Sequence, residues 1–132
     1  MTLKLALDTN AYKALDDGNP KVADFVQNSP QLGLPIIVLG ELYYGIFSGT
    51  KQENNLLNLN RFLSTPRIEL LQISEATARI FGEIASELRQ KGRPIQQDDM
   101  WIAALCKQYT YTLITADRGF AAITGLEVIG FR

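Results

Sequence analysis

Short apolar segments alternate with longer segments of helical periodicity, and this alternation is the feature that most limits the possible folds. The apolar segments cover residues 3–7, 32–38, 68–73, 111–115 and 126–130. Strands that are separated by helices pair in parallel and place helices on both faces of the sheet. The alternation therefore predicts an α/β fold with a central parallel sheet. Pro35, inside the second segment, indicates an edge strand or a late strand start.

The size of the chain and its one cysteine fit an ordinary intracellular domain. The 132 residues are enough for one domain, 1–132, and too few for two. Cys106 has no partner for an intrachain disulfide, which favours a reducing compartment. No apolar stretch of 18 residues could span a membrane. We expect a soluble, cytoplasmic protein with no membrane partner.

The chain contains no histidine, which excludes several kinds of active site. Ser-His-Asp catalysis, Cys-His catalysis and histidine-ligated zinc all need an imidazole. Any bound metal must be held by oxygen ligands, and these favour Mg²⁺ or Mn²⁺. The formal net charge of −1 does not indicate a strongly basic nucleic-acid-binding protein, although a local basic patch remains compatible with it.

Acidic residues follow several of the predicted strands. Asp8 ends the first strand, Glu41 lies three residues past the second in the first turn of the next helix, and Asp117 lies two residues past 111–115. The carboxyl ends of parallel strands meet at one edge of a sheet, so these side chains are expected to converge. Asp98 and Asp99 begin a helix whose N-terminus could reach the same edge.

Each of these acids also has a structural explanation. Asp8 could cap the helix that follows, Glu41 would be favoured by the helix dipole, and Asp98 is a natural N-cap. Their convergence changes the balance, because two carboxylates ~5 Å apart repel by roughly 3 kcal/mol at an effective dielectric of about 20. A cluster of them requires shifted pKa values or a bound cation. A divalent cation could also activate a water molecule for attack on a phosphodiester.

Four sequence blocks resemble the motifs of the PIN-domain ribonucleases, and among them the VapC-type toxins of toxin–antitoxin pairs. The blocks are LDTNAY at 7–12, LGELYYG at 39–45, DDMWIAA at 98–104 and LITADRGF at 113–120. Their order and spacing match the family from end to end. The resemblance implies a PIN-like three-layer α/β/α sandwich and a Mg²⁺- or Mn²⁺-dependent endoribonuclease.

The resemblance also implies roles for particular residues. Asp8, Glu41 and Asp99 correspond to the core acidic triad, with Glu41 and the fourth acid, Asp117, acting directly or through water. Asp98 stands where the family often has Asn, which raises the question of which acid of the pair faces the metal. Helical spacing leaves both open, and the motif favours Asp99. Thr9 and Thr115 are expected to support the site by hydrogen bonding.

The partners implied by the resemblance are an RNA substrate, a VapB-type antitoxin and a second copy of the chain in a homodimer. Lys13, Arg93 and Arg118 are the candidates for phosphate contacts, although surface solvation explains each of them equally simply. Tyr44 and Leu57 fall beside the main apolar stripes of their helices and are candidates for a protein interface, with core packing as the alternative.

Two other functions are compatible with parts of the sequence. A catalytically silent PIN-like domain would bind RNA or protein without turnover, and the full set of acids argues against it. A phosphotransfer domain with an acidic magnesium pocket would need a lysine after a late strand or Asp-x-Asp after the first. The chain has Gly130-Phe131 and Asp8-Thr9-Asn10 at these places. No glycine-rich phosphate loop follows any strand.

Overall fold

Five parallel strands form one sheet in a computed structural model that describes residues 3–132. No helix within these residues is long and apolar enough to cross a membrane. In chain order the elements are β1 (Leu5–Leu7), α1 (Thr9–Asp16), α2 (Pro20–Gln27), β2 (Leu32–Pro35), α3 (Ile36–Phe47), α4 (Gln52–Leu63), β3 (Ile68–Leu71), α5 (Glu75–Lys91), α6 (Gln97–Tyr109), β4 (Thr112–Thr115), a short 3₁₀ helix (Arg118–Ala122) and β5 (Val128–Gly130).

The strand order is β3-β2-β1-β4-β5, with β1 at the centre. Leu5 of β1 pairs with Leu32 of β2 on one side and with Thr112 of β4 on the other. From β1 the chain moves outward through β2 and β3, and it later returns to build β4 and β5 on the opposite side of β1. The carboxyl ends of all five strands therefore lie along the same edge of the sheet.

The sheet separates two apolar cores, as the three-layer fold requires. Leu5 and Leu7 of β1 point into one core, where they meet Val22 and Val26 of α2. Ala6, between them, points into the other core with residues of α3, α5 and α6. This alternation follows from the two-residue period of a strand. The α/β/α fold and its parallel sheet are confirmed.

Local sequence signals explain where several helices begin and end. Asn19 accepts hydrogen bonds from the backbone N–H groups of Lys21 and Val22, and Pro20 occupies the first position of α2. Ser74 and Thr77 form a reciprocal capping arrangement at the start of α5. Gly92 ends α5 with φ of 65°, a left-handed conformation that glycine adopts without strain.

The second strand differs from the sequence prediction. It ends at Pro35 instead of residue 38, and α3 begins at Ile36. Proline cannot donate to a strand ladder but suits a helix start, whereas the β-branched run after it resembles a strand in sequence. The predicted edge position was also wrong, because β2 lies between β3 and β1, and Pro35 is its last residue, opposite Leu71.

Candidate metal and active site

The site lies where the chain leaves β1 and β4, two neighbouring strands whose connections run in opposite directions across the sheet. Open α/β sheets bind ligands beyond the carboxyl ends of such a strand pair. Asp8 follows β1 directly, and Thr115 is the last residue of β4. The Thr115 hydroxyl donates a hydrogen bond to Asp8 Oδ2, which joins the two strand ends.

Asp8 is both a helix cap and a buried carboxylate. Its Oδ1 accepts a hydrogen bond from the backbone N–H of Ala11 at 2.8 Å, and its side chain is only 7% exposed. Burial raises the pKa of Asp8, the bonds from Thr115 and Ala11 oppose this rise, and the charges of Asp117 and Glu41 add to it. The net effect is a raised pKa. Asp8 therefore caps α1 although burial and the nearby acids destabilise its charged form.

Glu41 lies in the second turn of α3, and the hydroxyl of Thr9 donates to its Oε1 at 2.6 Å. The predicted position in the first turn was wrong, because α3 begins at Ile36, five residues before Glu41. The helix dipole acts mainly within the first turn, so it does not explain this acid. The bond from Thr9 fixes one carboxylate oxygen, and the structure gives Glu41 an orientation toward the end of β1.

The adjacent acids Asp98 and Asp99 both lie in the first turn of α6. Gln96 is the N-cap of this helix, so the prediction that Asp98 caps it was wrong. Asp98 is exposed and lines a cleft with Glu41, whereas Asp99 is half-buried and lines another cleft with Asp117. The two carboxylates therefore face different surroundings although they are neighbours in sequence.

The pKa of Asp99 is raised well above its ordinary value. Burial is the largest cause, and the negative charges of Asp117, Glu41, Asp8 and Asp98 follow; together they raise the pKa of Asp99 from 3.8 to about 6. The charges come from four separate parts of the chain. Asp99 therefore lies near the other acids predicted from sequence, at this edge of the sheet.

Asp117 is held by a short chain of hydrogen bonds. Its Oδ1 accepts from the backbone N–H of Gly119 at 2.8 Å, and its own N–H donates to Thr115 Oγ1 at 2.9 Å. Since the Thr115 hydroxyl donates to Asp8, the placement of Asp117 is linked to that of Asp8. The Thr115 hydroxyl thus holds both Asp8, at the end of β1, and Asp117, after the end of β4.

No basic side chain neutralises the acids in the part of the chain that the structure describes. The one ion pair there joins Lys91 to Glu87 at 3.6 Å, on α5. Within residues 3–132, no group of three or more acidic or cysteine side chains is arranged to hold a metal ion. The Asp99–Asp117 cleft offers two carboxylates, which suits a hard divalent ion that takes one or two protein ligands and retains several waters.

The predicted phosphate-contacting residues occupy different places. Arg118 begins the 3₁₀ helix beside Asp117 and is exposed, and Arg93 is exposed just before the cleft that Asp99 lines. Lys13 lines a separate cleft with Asp16 between α1, α3 and α4. Arg118 adjoins Asp117 and Arg93 adjoins Pro94 of the cleft, whereas Lys13 faces another surface.

Sequence reasoning did not identify several residues that line the Asp99–Asp117 cleft. Gly119 lies two residues after Asp117 in the last motif block, and an Asp-x-Gly spacing is a turn signal that could have drawn attention to it. The other lining residues precede α6 and carry no charge, so they gave no signal. They are Pro94, Ile95 and Gln96.

Comparison with known proteins agrees with the four motif blocks. The PIN-domain family profile matches residues 5–126. Ribonuclease VapC2 from Rickettsia felis is 33% identical over 113 residues, which is 83% of each chain. Ribonuclease VapC2 from Haemophilus influenzae is 31% identical over 128 residues, covering 95% of this chain and 96% of the relative.

Solved structures give the same result for the fold. The structure of VapBC2 from Rickettsia felis bound to a promoter DNA fragment contains a chain that is 29% identical, with a TM-score of 0.86, covering 98% of this chain and 100% of that one. DNA-bound VapBC from Salmonella typhimurium gives 29% identity and a TM-score of 0.85, covering 98% of each chain. The resemblance inferred from the motif blocks is confirmed, and the chain belongs to the PIN-domain family, with VapC-type proteins as its relatives.

Proposed function

We propose that this protein is a metal-dependent endoribonuclease that acts as the toxin of a VapBC-type toxin–antitoxin pair. The observation that carries the proposal is the hydrogen-bonded placement of acids from separate segments at the carboxyl edge of the sheet, where Thr115 links Asp8 to Asp117 and Thr9 holds Glu41. The pKa values of Asp8 and Asp99 are raised there, and no ion pair within the described residues compensates these acids. The relatives named Ribonuclease VapC support the reaction class, and the VapBC complexes support the biological setting.

The proposed metal ligands are Asp8 and Asp99, with Glu41 and Asp117 acting directly or through water, and the proposed ion is Mg²⁺ or Mn²⁺. When bound, the ion lowers the pKa of a water molecule and neutralises charge on the scissile phosphate. Asp99 is preferred to Asp98 because Asp99 is half-buried, shares a cleft with Asp117 and has its pKa raised to about 6 by burial and the other acids.

The chain's own groups prepare this arrangement. Thr115 and the N–H of Ala11 each donate to one oxygen of Asp8, which favours its charged form and fixes its plane. Thr9 donates to one oxygen of Glu41 and leaves the other oxygen available. Arg93 and Arg118 are proposed to bind RNA phosphates beside the acids, and Lys13 is a more distant candidate.

The partner proteins are proposed on the same basis. The VapBC complexes favour a VapB-type antitoxin as the partner in the cytoplasm, and a homodimer is proposed as the toxin's own assembly. Tyr44 and Leu57 are 76% and 49% exposed, so core packing does not explain them. They remain the candidates for a protein interface on the outer surfaces of α3 and α4.

The direct test is cleavage of total RNA by the purified protein with Mg²⁺, with Mn²⁺ and with EDTA. We expect cleavage with either ion and none with EDTA. Asp99→Asn should remove the activity, and Asp98→Asn is its matched control because the two acids share one helical turn. Equal losses in both variants would contradict the assignment of Asp99.

The alternative is a silent PIN-like domain that binds RNA or protein. It predicts no turnover with either metal ion and RNA binding that is insensitive to Asp99→Asn. Weak Mg²⁺ and Mn²⁺ binding together with no RNA cleavage, under conditions in which a VapC relative cleaves the same RNA, would favour this alternative.

A further inference from the structure

Gly119 lies unusually close to the Asp117 carboxylate. Its backbone N–H donates to Asp117 Oδ1 at 2.8 Å, and both residues line the cleft that Asp99 also lines. A Cβ atom at position 119 would stand 3.1 Å from Asp117 Oδ1 and 3.3 Å from Cγ2 of Ile95. Both distances are shorter than ordinary van der Waals contacts, so any side chain would press on the carboxylate and on the cleft wall.

The need for glycine here is a need for space. The φ angle of Gly119 lies outside the left-handed region, so other residues could adopt the same backbone. Gly82, in the middle of α5, differs in that a Cβ there would meet nothing within 4 Å. The backbone conformation therefore does not require glycine at position 119, whereas the space beside Asp117 does.

We propose that Gly119 is a positioning residue of the candidate active site: its missing side chain keeps the Asp117 carboxylate in place beside Asp99. This inference rests on the proposed function, because it assumes that the cleft takes part in metal binding. Ala at position 119 would push Asp117 Oδ1 by a few tenths of an ångström. Losses of ligand orientation of this kind lower metal affinity by about 10- to 100-fold.

The test is a double-mutant cycle on Mn²⁺ affinity, measured by titration calorimetry on the full chain. Gly119→Ala alone is expected to weaken Mn²⁺ binding by about tenfold. In an Asp117→Ala background the same change should have no further effect, because the group on which it acts is gone. Gly82→Ala is the control and should leave Mn²⁺ affinity and RNA cleavage unchanged.

Ile95→Ala separates the two contacts. The double variant Ile95→Ala/Gly119→Ala removes the 3.3 Å contact and keeps the 3.1 Å contact with Asp117. It should bind Mn²⁺ as weakly as Gly119→Ala does, and it also relieves strain if the single variant folds poorly. Recovery of affinity in this double variant would assign the effect to the cleft wall and overturn the inference.

Other outcomes distinguish this inference from the proposed function. A wild-type protein that binds Mn²⁺ and cleaves RNA, with Gly119→Ala indistinguishable from Gly82→Ala, would overturn the role of Gly119 alone. An equal loss from Gly119→Ala with and without Asp117 would do the same. A wild-type protein that neither binds Mn²⁺ nor cleaves RNA would remove the proposed function, and the positioning role with it.

Discussion

The acidic side chains at the two ends of the sheet have different surroundings. At the amino end, Glu69 of β3 accepts hydrogen bonds from the Tyr111 hydroxyl and from Gln31 Nε2, and Lys4 lies 4.5 Å from the centre of the Tyr111 ring. One acid there is surrounded by neutral donors and has a cation nearby. At the carboxyl end, burial and the charges of nearby acids raise the pKa values of Asp8 and Asp99.

This difference indicates which acids are fully hydrogen-bonded within the protein and which can bind a ligand. A single acid with two donors is satisfied by the protein itself, so the amino end needs nothing from solution. The hydroxyls of Thr9 and Thr115 orient two acids at the carboxyl end, but neutral donors cannot remove the repulsion among four charges. Only the carboxyl end is therefore expected to depend on a bound cation.

Asp8→Asn should have the largest effect and should affect function alone. It removes a proposed metal ligand, so Mg²⁺-dependent RNA cleavage should fall by roughly 10³-fold, as expected when several kcal/mol of metal assistance are lost. Asn is as good a helix cap as Asp, so α1 should be retained. Cleavage rates and far-UV circular dichroism together check this, and undiminished cleavage would contradict the assignment.

Thr115→Val should weaken the carboxyl end without removing an acid. The change deletes the donor to Asp8 and the acceptor for the Asp117 N–H while keeping the shape of the side chain. Metal affinity should fall by about 10- to 100-fold, as it does when a group that orients a ligand is removed. Thr115→Ser should restore most of the affinity, and titration with Mn²⁺ measures both variants.

Tyr111→Phe is the matched change at the amino end. It removes one donor from Glu69 and keeps the buried ring, so the free energy of unfolding should fall by about 1–2 kcal/mol. RNA cleavage per folded molecule should not change. Urea denaturation and cleavage assays test the two statements, and a loss of activity at unchanged stability would show that the two ends are not separate.

The pH dependence of stability should give the smallest effect. The pKa of Asp99 is raised from 3.8 to about 6, mainly by burial, so between these values the folded protein binds more protons than the unfolded chain. The unfolding free energy of the metal-free protein should therefore fall as pH rises from about 4 to 6. The fall should be on the order of 1 kcal/mol, because solvent screens a half-exposed carboxyl.

The control for the pH effect is the neighbouring acid. Asp99→Asn should flatten this part of the stability profile in EDTA, whereas Asp98→Asn should largely preserve it. Thermal unfolding at a series of pH values provides the measurement. A rise in the unfolding free energy between pH 4 and 6 that depends on Asp99 would contradict this prediction. It would show that a basic side chain of the protein compensates the Asp99 charge.

The sequence predicted the layers of the fold well because the underlying signals are local. Strand-sized apolar runs, the Asn19-Pro20 helix start and the Gly92 helix end each act within a few residues. The β2–α3 boundary was missed because residues 36–38 are apolar and β-branched, which suits a buried strand or a buried helix equally well. Only packing between layers decides between them.

The site was predicted in part for a similar reason. Parallel strands bring their carboxyl ends together, so the placement of Asp8, Glu41 and Asp117 at one edge of the sheet could be predicted from topology, and their joint action on a metal stays a prediction. The difference between Asp98 and Asp99 did not follow, since it depends on how the first turn of α6 sits between two clefts. The close approach of Gly119 to Asp117 depends on side-chain contacts that periodicity does not describe.

The hydrogen bond between Thr115 and Asp8 joins residues that are 107 positions apart. A ribosome must therefore complete almost the whole polypeptide before this centre can assemble. Products of early termination, and fragments cut in the middle by a protease, lack one of the two strand ends. The proposed nuclease activity is therefore expected only from a polypeptide that contains both strand ends.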